Sequence, residues 1–310
     1  MTNPRWDVLG IGTIAVDDLL LVAQYPLPDS KVDILESYRQ GGGQTATAMV
    51  AAARQGARTA FGCRLGYDNL SLFSIAEMER EGVDCTPCHQ DAEGSPYHSI
   101  IIVSLEEGTR TILHSGANLA LPPHLITPDL ISKTRLLYVD DNGGEAGIKA
   151  AGIARSLNIP VIADVEPNPP PDVNRLLPLI DHLVIGRELG ATLSGQSNEA
   201  DMAAALCTDN RTCCIITAGE DGCWYSENGI AGVHVAGFRV EVVDTTGCGD
   251  VFHGAYTAAI LRGECIADAV EIANASAAIK ATRPGGRLGI PDLATVRQFI
   301  RKSNRTPIKG

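Results

Sequence analysis

The 310-residue chain has no run of about 18 apolar residues, the length that spans a bilayer as a helix. Its opening, Met-Thr-Asn-Pro-Arg-Trp-Asp, lacks the apolar core of a secretion signal, so a cytoplasmic location is expected. Positive charge is in short supply: 25 Lys plus Arg face 37 Asp plus Glu, a net charge of −12. That field repels duplex nucleic acid and anionic membranes, so neither is expected as a partner, although a local pocket can oppose the global sign. The pattern G-x-x-x-x-G-K-[S/T] occurs nowhere, which removes a P-loop phosphate site. Aromatic residues make up only 5% of the chain, too few to favour a large stacked base pocket. Cysteine is not scarce, but nine is an odd count scattered through a large chain, which suits reduced thiols rather than a disulfide framework. Cys85-Thr-Pro-Cys88-His89 has no second ligand pair at finger-like spacing and is not read as a zinc site. Cys213-Cys214, inside an apolar run, reads as two buried thiols.

What is present is an ordinary globular composition, 45% hydrophobic and 20% charged. Short apolar runs at 8–14, 59–63, 136–140, 160–164, 182–185 and 213–217 read as strands. Helical patterns at 45–54, 71–80, 146–157 and 200–207 lie between them, and three more, 250–261, 266–282 and 291–302, close the chain. This alternation predicts an α/β fold with a covered, mostly parallel sheet, as one domain over 1–310. Residues 31–39 break it with an apolar/polar alternation, and 97–103 and 110–114 flank the turn Glu106-Glu107-Gly108. These stretches predict a small β lid from two insertions, approximately 15–40 and 95–118. An antiparallel extension of the main sheet is the alternative. Asn228-Gly229 predicts a further hairpin.

One segment concentrates chemistry: Val243-Asp-Thr-Thr-Gly-Cys-Gly-Asp-Val-Phe-His-Gly-Ala255. A strand over 238–243 is expected to run into Thr-Thr-Gly-Cys-Gly, with a helix starting near Asp250. Glycines let N–H groups turn inward, and a helix N-terminus adds partial positive charge, so Gly247, Cys248 and Gly249 form a candidate anion hole. An Asp at its mouth repels phosphate unless it removes a proton from an attacking hydroxyl. Asp250 is also an ordinary helix N-cap residue type, and both roles stay open on the residues alone. A second glycine cluster, Gly41-Gly42-Gly43, precedes the small-residue segment Gln-Thr-Ala-Thr-Ala-Met-Val-Ala-Ala-Ala-Arg-Gln-Gly56. It suits a ligand lying on backbone, or simply a tight loop before a closely packed helix. Gly10-Ile-Gly-Thr-Ile-Ala15 matches the loose dinucleotide fingerprint, but Pro26 and Pro28 would leave its helix short.

Together these segments resemble the ribokinase, or phosphofructokinase-B, family of sugar kinases. Asp244-Thr-Thr-Gly-Cys-Gly-Asp250 is similar to one half of the family signature. Gly42-Gly43, closed by Gly56, is similar to the other, with Thr47 where Asn is usual and Gln55 in place of Leu. Gly10-Ile-Gly12, Asp17, 62–68, Thr217-Ala-Gly-Glu-Asp-Gly222 and Thr282-Arg-Pro-Gly-Gly-Arg-Leu-Gly-Ile-Pro291 extend the likeness through most of the chain. The resemblance implies a ribokinase-like three-layer α/β/α domain with a β lid, and ATP-dependent phosphorylation of a sugar hydroxyl. It implies Asp250 as general base, with the N–H groups of Gly247, Cys248 and Gly249 on the transferring phosphoryl. It implies Asp17, Gly42, Gly43 and Thr47 at the sugar, and Thr217, Gly219, Gly222 and Asn274 at the nucleotide. Mg²⁺ would bridge phosphate oxygens, with Glu188 the nearest acid, because the usual Asn-x-x-Glu element is not intact in 182–195. Asp244 and Thr246 lie where several members hold a monovalent cation, usually potassium. Cys248 replaces the usual Ala; only its N–H is needed, although a thiol at a helix N-terminus can have a lowered pKa. A homodimer through the lid is expected.

The 41–48 and 282–292 motifs are most similar to the branch containing sulfofructose kinase. A sulfonate or phosphate tail would need donors from the lid, for which Lys31 and Arg110 are candidates, although both read equally as surface charge. His114 and Asn142 lie where further anion-binding groups would be sought, but Asp140 and Asp141 beside Asn142 disfavour an anionic tail. A neutral ketose or related furanose is therefore expected. Sulfosugar, phosphosugar and nucleoside kinases are alternatives within the family. A non-catalytic sugar sensor is the rival from another class; it would have no use for a base in a phosphate hole.

Overall fold

A computed structural model describes residues 4–303. Its main sheet has eight strands, in the order Val233–Val235, Cys223–Glu227, Cys213–Thr217, His182–Gly186, Val161–Val165, Thr134–Asp140, Trp6–Ile11 and Thr59–Gly62. Pairing is parallel from Thr59–Gly62 to Cys213–Thr217, and the last two strands are antiparallel. Val161–Val165 is buried at every residue, as expected of a strand covered on both faces. One face carries Gln44–Arg54, Cys248–Leu261 and Ile266–Ala281, packed through Met49, Phe61, Val251 and Ala273. The other carries Gly144–Ser156, Arg187–Ser194 and Glu199–Leu206, packed through Ala150, Leu189 and Met202. Small residues set how closely the layers approach. A Cβ on Gly254 would lie 2.2 Å from the Ala48 carbonyl oxygen, so only glycine lets the Cys248–Leu261 and Gln44–Arg54 helices cross there.

A second sheet of four strands stands apart from the first, in the order Ile34–Gly42, Ala15–Val22, Tyr97–Ser104, Thr109–Ser115. The stretches that broke the alternation are therefore not an extension of the main sheet. Ala15–Val22 is central in it, pairing antiparallel with Ile34–Gly42 and parallel with Tyr97–Ser104. Its hairpin turns at Gly108, φ +62°, and the Asn228-Gly229 turn joins Cys223–Glu227 to Val233–Val235 with both residues at positive φ.

Two expectations need correction, and the rejected dinucleotide reading finds no support. Residues 238–243 form no strand; Val243 N–H instead donates to the Ala281 carbonyl at 2.8 Å, outside any ladder. The following helix starts at Cys248, two residues before Asp250, so Asp250 lies in its first turn and is not its cap. After Gly10-Ile-Gly12 the chain enters the Ala15–Val22 strand instead of a helix. The dinucleotide fingerprint thus lacks its context, and Gly12 is explained by packing: a Cβ there would lie 2.3 Å from Asp140 Oδ2 and Thr45 Oγ1.

Candidate active site

The loop 244–249 is built before any ligand arrives. Gly247 caps the Cys248–Leu261 helix at φ +75°, and a Cβ on it would lie 2.8 Å from the Gly286 carbonyl oxygen. Glycine is required twice over, by backbone conformation and by space. The Cys248 N–H donates to the Thr245 carbonyl at 3.1 Å, which corrects its placement in the hole. Among the described residues, the N–H groups of Gly247, Gly249 and Asp250 have no protein acceptor and are the free donors at this helix N-terminus. The Cys248 thiol is not activated either. Burial pushes its pKa up, and Sγ faces the Ala277 carbonyl at 3.5 Å.

Asp250 is enclosed, and its carboxyl pKa is pushed up to about 8, first by desolvation and then by the nearby Asp164. Behind it His253, one helical turn on, faces the carbonyls of Gly249 and Val184 at 2.8 and 3.1 Å with its two ring nitrogens. Asp164 Oδ1 is 3.5 Å from Nε2. Both ring nitrogens are thus engaged, which fixes the orientation of the ring beside Asp164.

A cavity of about 400 Å³ opens beside Gly249 and His253, lined by Asp164, Glu166, Glu188 and Thr217. A second, of about 470 Å³, shares Thr217, Gly219 and Gly249 with it and is walled by Val240, Val242, Phe252 and Asn274. The predicted nucleotide residues are therefore brought together. Gly222 also lines the second cavity, held so near the Val235 carbonyl that a Cβ would lie 2.2 Å from its oxygen. Asn274 Nδ2 donates to that same carbonyl at 3.2 Å. Three acids line this opening, but among the described residues no three acidic, histidine or cysteine side chains converge closely enough to hold a metal ion by themselves, so a cation here would depend on phosphate oxygens as well. Glu188, in the first turn of Arg187–Ser194, is one of the acids; sequence analysis missed Asp164, in a buried strand, and Glu166, just past that strand's end, because neither carries a spacing motif.

The glycine cluster meets Asp17. A Cβ on Gly42 would lie 2.6 Å from Asp17 Oδ2, and Gly43 holds φ +89° against the backbone of Ile14. Asp17 is buried, and desolvation raises its pKa against a hydrogen bond from Ser99 and the charge of Arg287. Arg287 is the residue that sequence analysis passed over. Fully enclosed, it donates from Nη2 to the Gly42 carbonyl at 2.7 Å and from Nε to Thr47 Oγ1 at 3.2 Å. Its charge is felt by both Asp17 and Asp250, which ties the two carboxylates to one locality. Its signal lay in the Thr282–Pro291 motif. Thr47 is thus oriented by Arg287 and buried.

The remaining candidates separate. Arg110, on Thr109–Ser115, reaches the loop of the main domain: Nη1 donates to Thr246 Oγ1 at 2.6 Å and lies 3.6 Å from Asp244 Oδ1. Lys31 is exposed beyond the Val22/Ile34 end of a ladder whose other end holds Asp17. At ~3.4 Å per residue, five residues put ~17 Å between Asp17 and that end, so Lys31 is not brought to the site. Asp140 does not face the site as an open charge: it accepts from Thr13 N, Thr45 Oγ1 and Asn142 N at 2.6, 2.7 and 3.0 Å. At Asp244 and Thr246, the expected place of a monovalent cation, each Asp244 oxygen already has a protein donor. Asp244 Oδ1 accepts from Thr246 N, Oδ2 from Gly285 N and the carbonyl oxygen from Lys280 Nζ.

The profile of pfkB family carbohydrate kinases matches residues 14–293. A ribokinase from Staphylococcus aureus is 26% identical over 96% of this chain and 100% of its own. A maize protein named fructokinase-2 is 24% identical over 96% of this chain and 95% of its own. The crystal structure of a ribokinase from Thermotoga maritima superposes with a TM-score of 0.82 at 25% identity, covering 96% of this chain and 100% of that one. The paired glycine loops, Asp250 in the first helical turn and a match that runs nearly end to end agree: the chain belongs to the pfkB family of carbohydrate kinases.

Proposed function

We propose that the protein transfers the γ-phosphoryl group of ATP to a hydroxyl of a neutral sugar, a ketose or furanose, with Asp250 as general base. The observation that carries this is Asp250 itself: a half-buried carboxylate of raised proton affinity beside unpaired N–H donors. The acceptor oxygen attacks phosphorus as its proton passes to the Asp250 carboxylate. The N–H groups of Gly247, Gly249 and Asp250 stabilise charge growing on the phosphoryl oxygens. The adenine lies in the apolar cavity along Val240, Val242, Phe252 and Asn274, with phosphates beside Thr217 and Gly219. Mg²⁺ held from Asp164, Glu166 and Glu188 together with phosphate oxygens would offset the repulsion between those acids and a triphosphate. Asp17 accepts hydrogen bonds from sugar hydroxyls over the Gly42-Gly43 backbone, and the four-stranded sheet serves as lid.

A neutral acceptor is favoured because Arg287, the buried cation beside Asp17, already donates to Gly42 and Thr47. The relatives' names point both ways: ribokinase and fructokinase describe neutral sugars, and 5-dehydro-2-deoxygluconokinase describes a sugar acid. The sheet's exposed apolar residues, Ile34, Leu35, Ile112 and Leu113, each at least half exposed, support a homodimer through this sheet. A monomeric mass at micromolar concentration in light scattering would exclude it. The activity is tested by ADP release with Mg²⁺ across ketoses, aldoses, sugar acids, phosphosugars, sulfofructose and nucleosides. A neutral ketose or furanose as the one strong substrate is expected. Turnover confined to anionic sugars would overturn the acceptor class, and nucleotide binding with no turnover on any of them would favour a sensor.

A further inference from the structure

Lys280 is fully buried, in the last turn of the Ile266–Ala281 helix, among small apolar residues. Burying an ammonium is unfavourable unless negative groups surround it, so its place needs a reason. The reason lies in what it touches. Nζ donates to the main-chain carbonyl of Asp244 at 2.8 Å, at the root of the loop that ends in Gly247-Cys248-Gly249. Asp244, Asp250 and Cys248 are the negative and polarisable groups that favour its charge.

That loop is joined to the segment 281–286 along its length. Val243 and Asp244 N–H both donate to the Ala281 carbonyl, at 2.8 and 3.1 Å. Gly285 N–H donates to Asp244 Oδ2 at 2.8 Å, and Gly247 lies against Gly286. The Asp244 carbonyl would still point unpaired into this seam, and Lys280 satisfies it with a full positive charge. With the guanidinium of Arg110 3.6 Å from Asp244 Oδ1, two fixed cations bracket one carboxylate. A free metal ion would be a third positive charge in the same few ångströms, competing with protein donors for every Asp244 oxygen.

We propose that Lys280 is a positioning residue that supplies this loop with a built-in cation, so that turnover needs no monovalent metal ion. An ammonium group carries the charge of potassium and is close to it in size, and tethering it to a helix makes its occupancy independent of salt. This rests on the reading of the loop as the phosphoryl site, and the test separates the two.

The full-length protein is assayed in KCl and in tetramethylammonium chloride at equal ionic strength, for kcat, for Mg·ADP affinity by calorimetry and for Tm. The wild type is expected to keep kcat and affinity within about twofold in both salts; Lys280→Ala is expected to lose about tenfold or more in kcat. Because that substitution leaves an ammonium-sized space, KCl or NH4Cl should restore part of kcat, tighten Mg·ADP and raise Tm, while tetramethylammonium should not. A merely structural lysine would show no such ion-selective rescue. Lys280→Met, which fills the space without charge, should show the loss without the rescue. A wild-type enzyme that loses more than about fivefold in kcat or affinity without potassium would overturn the assignment, even if the variants fail to fold. So would a Lys280→Ala protein with unchanged kcat in tetramethylammonium. Absence of Mg·ADP binding in every salt would instead overturn the phosphoryl-loop reading beneath it.

Discussion

The two sheets build their halves of the site from different materials. Val161–Val165 in the main sheet is buried at every residue, whereas Thr109–Ser115 in the second sheet is exposed at nearly every one. In the proposed reaction the main sheet contributes largely backbone: free N–H donors at a helix start, glycines where a Cβ would collide, and Asp250 in the first turn. The second sheet would contribute side chains, Asp17, Ser99 and Arg110, from more open strands. A backbone-built site survives side-chain change, which is why Cys248 can stand there at all. A side-chain-built site changes its ligand with each substitution, so the acceptor is the part of the reaction that varies.

The largest effect that would test this contrast comes from the one side chain on which the main-sheet half depends. Asp250→Asn is expected to lower kcat by about 10³-fold, with Mg·ADP affinity held within about threefold because the N–H donors remain. Isothermal calorimetry beside steady-state kinetics checks both, and loss of nucleotide binding would mean that the side chain shapes the loop. The wild-type kcat/KM should rise with pH toward a plateau above about pH 8, since only the ionised carboxylate accepts the proton. Stability should run the other way. The folded pKa lies above the unfolded value of 3.8, so the folded state binds the extra proton, and this group subtracts stability as pH rises from about 4 to about 8. Asp250→Asn removes that dependence, and its Tm relative to wild type should be higher at pH 8 than at pH 5. A constant difference in Tm would contradict the raised pKa.

The second-sheet half should fail differently. Asp17→Asn keeps the shape beside Gly42 but removes a charged acceptor, and kcat/KM is expected to fall by about 10- to 100-fold, mostly through KM. An equal fall in kcat at saturating sugar would place Asp17 in the chemical step and weaken the division of labour between the sheets. Mg·ATP affinity should not move.

The main-sheet half was legible in sequence because its requirements are local. Glycines at fixed offsets, a helix start and an Asp in its first turn all fall between Asp244 and Asp250, and covered strands announce themselves as apolar runs. What failed was whatever depends on distant partners. Arg287 is 240 residues from Thr47, with nothing local to couple them. Lys280 reads as an ordinary last-turn base until its burial is seen. Cys248 N–H turned to Thr245, as no spacing rule would show, and residues 238–243, apolar enough for a strand, found no strand beside them. Asp140 misled in the opposite direction, since its charge is spent on Thr13 and Thr45 instead of on a substrate.

The smallest expected effect sharpens the comparison within the second sheet itself. Lys31 and Arg110 had equal standing as sequence candidates, yet Arg110 donates to Thr246 while Lys31 lies past the far end of the Ala15–Val22 ladder. Lys31→Ala should leave kcat, KM and salt dependence within about twofold, because an exposed lysine held by nothing contributes little. Arg110→Ala leaves Thr246 Oγ1 without its donor and one fewer cation beside Asp244, and should raise KM several-fold where Lys31→Ala does not. The pair is best measured against the accepted sugar and its phosphorylated form. If Lys31→Ala alone weakened an anionic acceptor, the segment before Ile34 would have to fold back along the sheet, because Asp17 and Val22 share one strand and closure of the sheet does not shorten the ~17 Å between them. The neutral-sugar assignment would fall with that result, because the lid would then bring a cation to the acceptor.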